Sequence, residues 1–411
     1  MKMMRPQVVS AAEKEYQIQM NAATKKLYDN NSYLREFSAK VLSCEPLADA
    51  KKRKDGAAFG IVLDQTAFFP EGGGQTADTG NLGNAVVSDV QEKDGVIVHC
   101  TDVPLEPGIE IQGVLNWEQR FRKMQNHTGE HLISGIVHSQ FGYDNVGFHL
   151  GTDGVTVDFS GVLTAAELEF VEYIANRVVG LNVPVTVSYP TPEECAAMEY
   201  RSKLDLTENI RIVTIEGWDV CACCAPHVSE TGAVGGIKIL SSESWKGGVR
   251  IRMLCGLDAL EDYQKRLENT ARISNLLSCK QLESADAVER LLKNLAAERE
   301  EAAKLRRTLV EIKSAGLAET DGNLVIFDDM LDNNSLRNLV NAGVVRCGGV
   351  CAAFQGNDAD GYRYIISSQH TALRAWAKDF NSALNGRGGG SDEMIQGTVK
   401  ASEAAIRAYL Q

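Results

Sequence analysis

Long apolar runs are missing from the start of the chain. Met1 to Tyr16 is polar and charged, which excludes a secretion signal or a membrane span there. An excess of positive charge is missing too: 42 Lys and Arg stand against 55 Asp and Glu, for a net charge of −13. Phosphate contacts need Lys and Arg, so an extended basic surface is excluded and any nucleic acid must meet local basic patches. Regular cysteine spacing is also absent. The 10 cysteines are scattered over 411 residues, which fits reduced thiols and a metal site better than a disulfide framework. A cytoplasmic protein of two or three domains is the expectation.

What is there begins with two short stretches. In Asn126-His127-Thr128-Gly129-Glu130-His131, apolar Ile133, Ile136 and Val137 follow at helical spacing, so His127 and His131 lie one turn apart on one helix face. Such a pair can chelate a cation or sit buried and hydrogen-bonded without one. In Asp219-Val220-Cys221-Ala222-Cys223-Cys224-Ala225-Pro226-His227, Pro226 favours a turn that lets Cys223 and His227 point inward together. Three imidazoles and one thiolate suit tetrahedral Zn²⁺ better than Mg²⁺ or Ca²⁺. Cys221 and Cys224 are rival thiolates at this stage.

Residues 1–24 form a leader without readable pattern. Strand-like runs at Leu34 to Cys44, Gly60 to Leu63, Ala85 to Val90, Val96 to Cys100 and Ile109 to Asn116 make residues 25–117 a small β-rich domain resembling a barrel. Between them lies Asp64 to Gly80, whose Gly72, Gly73 and Gly74 permit positive φ and close approach of a ligand to backbone. Thr66, Gln75 and Asp78 offer hydrogen-bonding groups around that loop, and a plain turn is the other reading. Trp117 to Met124 carries Arg120, Arg122 and Lys123; they read as the solvated start of the metal helix or as phosphate contacts beside aromatic rings. Residues 118–257 alternate strands with helices at Thr164 to Val179 and Thr191 to Arg201, an α+β pattern. Apolar positions at threes and fours make 258–315 a helical hairpin or coiled coil. Residues 316–411 read as α/β, ending in a glycine-rich segment at Asn385 to Gly397.

The ordered motifs Phe68-Phe69-Pro70-Glu71-Gly72-Gly73-Gly74-Gln75, His127-x3-His131 and Cys223-x3-His227 resemble the signature of the alanyl-tRNA editing family. The motifs span about residues 25 to 257, and the glycine-rich ending is similar to the C-terminal domain of alanyl-tRNA synthetases. No aminoacylation domain is recognisable ahead of Thr66, so the similarity is to the long free-standing form. Cys224-Ala225-Pro226 departs from the synthetase pattern but leaves the ligand spacing intact.

The resemblance implies an α+β chain: a β-barrel-like domain, a zinc-containing α+β editing domain, a helical linker and a C-terminal α/β domain. It implies one Zn²⁺ per chain on His127, His131, Cys223 and His227. The implied reaction is hydrolysis of the ester joining serine or glycine to tRNA(Ala), with translation fidelity as its purpose and no need for ATP. Thr66, Gln75, Glu130 and His149 are the expected catalytic set. Gly72, Gly73, Gly74 and Arg250 are the expected substrate contacts, mischarged tRNA(Ala) is the expected partner, and RNA binding or homodimerisation is the implied role of the C-terminal region. Two other readings use the same residues. One takes His127 to His131 as the inverted His-x-x-Glu-His zinc-peptidase motif, with Glu130 as base and Glu199 or Glu208 as third ligand. The other is a zinc-stabilised RNA-binding module without catalysis.

Overall fold

The computed structural model describes residues 23–151, 154–202 and 210–411. The expected leader therefore lies outside the described residues except for its last two. The chain is mixed α+β and divides into two compact units between Asn269 and Thr270.

Six strands near the start of the first unit build its first layer: β1 (Glu36–Pro46), β2 (Phe59–Leu63), β3 (Gly80–Leu82), β4 (Ala85–Lys93), β5 (Val96–Thr101) and β6 (Glu110–Leu115). They pair in the order β1-β2-β5-β4-β3-β6, and β6 returns to β1, closing a barrel. Burial alternates along β1 and β6, as expected for strands with one face inward. The inward side chains, among them Phe37, Ile61, Leu63, Phe68, Leu82 and Ile97, form one core.

Helix α1 (Trp117–Phe141) follows, started by the Asn116 side chain accepting from Gln119 N–H and ended by Gly142 at φ 71. Its apolar residues Met124, Leu132, Ile133, Ile136 and Val137 belong to a second core. That core takes in residues of β7 (Asn145–Gly151), β8 (Gly154–Phe159), α2 (Ala165–Leu181), β9 (Val185–Ser188), β10 (Ile212–Ile215), β12 (Ile237–Trp245) and β13 (Gly248–Cys255), with β11 (Asp219–Ala222) paired to β10. One sheet runs β12-β13-β8-β7 and another β9-β10-β11. Thr164 and Glu167 form a capping box at the start of α2. The helix expected over Thr191 to Arg201 stops at Ala197. Beyond it, Arg201 bridges to Cys221 on β11, its N–H donating to Val220 O at 2.8 Å and its C=O accepting from Ala222 at 2.9 Å. Backbone pairing with a strand outcompetes a further helical turn.

Helix α3 (Gly256–Leu277) crosses the division between the units, and α4 (Ser284–Ala315) follows after residues 278–283. In the second unit, β14 (Leu324–Phe327), β15 (Val350–Asn357), β16 (Gly361–Ser368), β17 (Gly386–Gly390) and β18 (Met394–Val399) form a sheet ordered β14-β15-β16-β18-β17. Only β14 and β15 run parallel within it. The helices α5 (Asn333–Gly343), α6 (Leu373–Ala383) and α7 (Glu403–Leu410) contribute to two cores. The glycine-rich ending thus forms β17 and the first part of β18, an antiparallel pair in the sheet. Among the described residues, no helix is long and apolar enough to cross a membrane.

Candidate metal centre

Helix α1 and the loop after β11 bring His127, His131, Cys223 and His227 together, with ligand atoms all within 4.8 Å of one another. Cys223 Sγ lies 3.6 Å from His127 Nε2 and 3.3 Å from His227 Nε2. On the far side of each ring, Nδ1 has its own partner: Gln75 Oε1 for His127 at 2.8 Å, Asp219 Oδ2 for His131 at 2.8 Å and Thr128 Oγ1 for His227 at 3.0 Å. Amide and carboxylate oxygens only accept, so His127 and His131 carry a proton on Nδ1, which leaves Nε2 to face the cluster. This is the arrangement of metal-binding imidazoles. Burial opposes a thiolate at Cys223, but His127 and His227 override it and hold the thiol pKa well below its usual value. His227 itself is pushed the other way, burial lowering its pKa to about 3. The donor set fits a metal ion.

The rival thiols are placed differently. Cys221 groups with Asp219 on the Nδ1 side of His131, and burial raises its pKa. Cys224 is exposed and belongs to neither metal-type group among the described residues. The loop itself is held by Arg211, whose Nη1 donates to Cys223 O at 2.7 Å and Ala225 O at 2.9 Å.

The glycine loop lies against this centre through Gln75. Gly72 and Gln75 exchange backbone hydrogen bonds of 3.0 Å, which closes a tight turn. Gly74, at φ +85, gives its C=O to Leu150 N–H at 2.7 Å, and a Cβ there would sit 2.5 Å from Phe148 O; only glycine fits. Gln75 is buried, and its Nε2 has no hydrogen-bond partner among the described residues. Phe148 places its ring 4.6 Å from that of His127.

Of the remaining expected residues, three have protein partners of their own and His149 lies exposed. Thr66 is fully buried, with Oγ1 2.8 Å from His99 Nε2 and accepting from Phe68 N–H at 3.1 Å. His99 Nδ1 donates to Ile61 O at 3.1 Å, so Nε2 is an acceptor and takes the Thr66 proton. Glu130 is buried, and its carboxylate accepts from Asn145 Nδ2 at 2.5 Å and from the Ser134 hydroxyl. His149 is exposed on β7, next in sequence to Phe148. Arg250 grips Asp158 with two bonds of 2.6 and 2.8 Å and stacks over Trp245 at 3.5 Å. Glu199 is exposed and outside both metal-type groups, and Glu208 lies outside the described residues.

The basic start of α1 departs from the expectation. Arg120 is fully buried, bonding Asp78 with Nε at 2.8 Å and Ala67 O with Nη2 at 2.6 Å. Lys123 is also buried and donates to Thr76 O at 3.2 Å and to Ala77 O; burial lowers its pKa to about 8. Arg122 pairs with Glu118, Asp258 and Glu261. All three cations are committed within the protein. Loop 66–80 presents backbone carbonyls that need donors, and α1 supplies them.

Comparison with known proteins agrees with the motifs. The threonyl and alanyl tRNA synthetase second additional domain matches residues 210–252, and the class II (A) tRNA synthetases match residues 2–119. An alanyl-tRNA editing protein, AlaX-L of Pyrococcus horikoshii, is 28% identical over 93% of this chain and 96% of its own length. The alanyl-tRNA editing protein Aarsd1 of Danio rerio is 28% identical over 92% of this chain and 94% of its own. The chain is a homologue of the alanyl-tRNA editing proteins. The alanine–tRNA ligase of Pyrococcus abyssi is 32% identical over 92% of this chain, which spans only 42% of that enzyme. The class II match includes residues 2–24, the segment without readable pattern.

Proposed function

We propose that this homologue of the editing proteins is an aminoacyl-tRNA deacylase. It hydrolyses the ester between a wrong amino acid, serine or glycine, and tRNA(Ala), with one zinc ion held by His127, His131, Cys223 and His227. The observation that carries the reading is the four-donor cluster, reached by the glycine loop through Gln75, in a chain aligned nearly end to end with alanyl-tRNA editing proteins. Three imidazoles and one thiolate are a borderline-soft set that suits zinc. Zinc in such a site supplies positive charge that polarises or orients the ester.

The chain's own residues do the rest. Gln75 fixes the His127 ring through Oε1 and keeps Nε2 as an uncommitted donor suited to the ester carbonyl. The Thr66 proton is committed to His99, so Thr66 would meet a serine hydroxyl as an acceptor. Alanine would leave that lone pair unmatched, which is a source of discrimination. Glu130 and His149 are the proton-transfer groups of the proposal, and Glu130→Gln and His149→Asn assayed at equal zinc content separate them. Arg250, pre-set by Asp158 and Trp245, would contact the RNA backbone with its remaining N–H. The second unit would assist tRNA capture or homodimer formation.

Incubation with Ser-, Gly- and Ala-tRNA(Ala), together with metal analysis, tests the reading. Release of serine or glycine with Ala-tRNA(Ala) spared supports it, and failure to release any of the three refutes it.

A further inference from the structure

Among the described residues, one buried carboxylate touches the centre from behind. Asp219 opens β11 and is 6% exposed. Its Oδ2 accepts from His131 Nδ1 at 2.8 Å, while Arg201 grips both oxygens, Nε to Oδ1 at 2.7 Å and Nη2 to Oδ2 at 2.9 Å. The backbone of Arg201 is itself bolted to β11 on both sides of Cys221. Gly135 lies one helical turn beyond His131, on the same face of α1. A Cβ at that position would stand 2.4 Å from Trp218 O and 2.9 Å from Asp219 Cβ. The missing side chain is what lets β11 come close enough for Asp219 to reach the ring.

We infer that Asp219, clamped by Arg201 and admitted by Gly135, is the positioning residue that fixes His131 as a metal ligand; this rests on the metal reading above. The carboxylate holds the proton on Nδ1, so Nε2 faces Cys223 and His227 with its lone pair. Arg201 balances the buried charge and fixes the carboxylate plane, a two-pronged geometry that Lys does not reproduce. The same residues could instead hold a second cation, since His131, Asp219 and Cys221 also bring their ligand atoms within 4.8 Å. The guanidinium already on Asp219 repels a cation there, which favours the positioning role.

The test is zinc affinity, measured on the whole chain by competition with a chromophoric chelator, with long-range ¹H–¹⁵N NMR of the histidine rings as a second readout. The unaltered chain is expected to bind one zinc, with His131 protonated on Nδ1. Asp219→Ala is expected to lose about ten- to a hundred-fold in affinity and to show a mixture of His131 tautomers. Arg201→Gln is expected to lose less, and the double variant no more than Asp219→Ala alone, because Arg201 acts through Asp219. Asp219→Asn keeps the shape and carries the same comparison if the alanine variant fails to fold. Unchanged affinity in both Asp219 variants overturns the inference, as do losses that add in the double variant. Two zinc ions per unaltered chain overturn it as well, because Asp219 would then be a ligand. An unaltered chain that binds no zinc refutes the metal reading itself, before any variant is measured.

Discussion

At the scale of single residues, Cys223 separates a metal ligand from a buried thiol. Cys223→Ala is expected to abolish zinc binding, while Cys221→Ala and Cys224→Ala retain it; metal analysis of the three purified variants decides. Thr66 poses a different question, because its hydroxyl already has two protein partners. Thr66→Val is expected to lower kcat/KM for Ser-tRNA(Ala) more than for Gly-tRNA(Ala). One hydrogen bond of about 1 to 3 kcal/mol corresponds to roughly five- to a hundred-fold. An equal fall on both substrates, with a lowered Tm, would leave Thr66 only its bond to His99. His99 is buried with its pKa lowered to about 4 by desolvation. The unfolded chain therefore takes up this proton first, and stability is lost as pH falls from about 6.5 toward 4, by at most about 3 kcal/mol. Denaturation curves across that window should be shallower in pH dependence for His99→Gln.

At the scale of elements, loop 66–80 and α1 form one piece joined by Arg120, Asp78 and Lys123. Removing one partner of the buried Arg120–Asp78 pair, as in Asp78→Ala, is expected to cost about 3–5 kcal/mol by leaving an uncompensated charge. Urea denaturation measures it. The folded chain releases the Lys123 proton near pH 8, below the ordinary lysine range. Stability should therefore rise between about pH 8 and 10.5 through this group, and the rise should be lost in Lys123→Met. These contacts also mark where sequence reading stops. The spacing of His127, His131, Cys223 and His227 is local, so it can be read from the chain. The partners Asp219 and Thr128 lie inside the motifs that carry the ligands and Gln75 in the glycine loop, yet spacing does not say which ring each one meets. Arg201 and His99 left no signal, because their partners are distant in sequence. Arg120 and Lys123 looked solvated because charge favours the surface, and only the folded loop reveals the carbonyls that draw them inward.

For the whole molecule, the sequence conveyed a mixed α+β chain with a strand-rich start and long helices near its middle. The compact units divide between Asn269 and Thr270. A cut near Leu257, where the editing motifs end, would sever Asp258 and Glu261 from Arg122 and Asn126. A chain ending at Asn269 keeps those contacts. It is expected to retain zinc and turnover at saturating substrate, with a raised KM for charged tRNA; an unchanged KM would assign residues 270–411 to oligomerisation instead.

Cys223 and His127 stand 96 positions apart in sequence. A metal bound to both would act as a crosslink, restricting the unfolded chain much as a disulfide closing a loop of that length does, an effect of about 4–5 kcal/mol in the chain-entropy picture. Chelators would then remove a fold constraint along with a reaction centre, and resistance to proteases would follow metal occupancy.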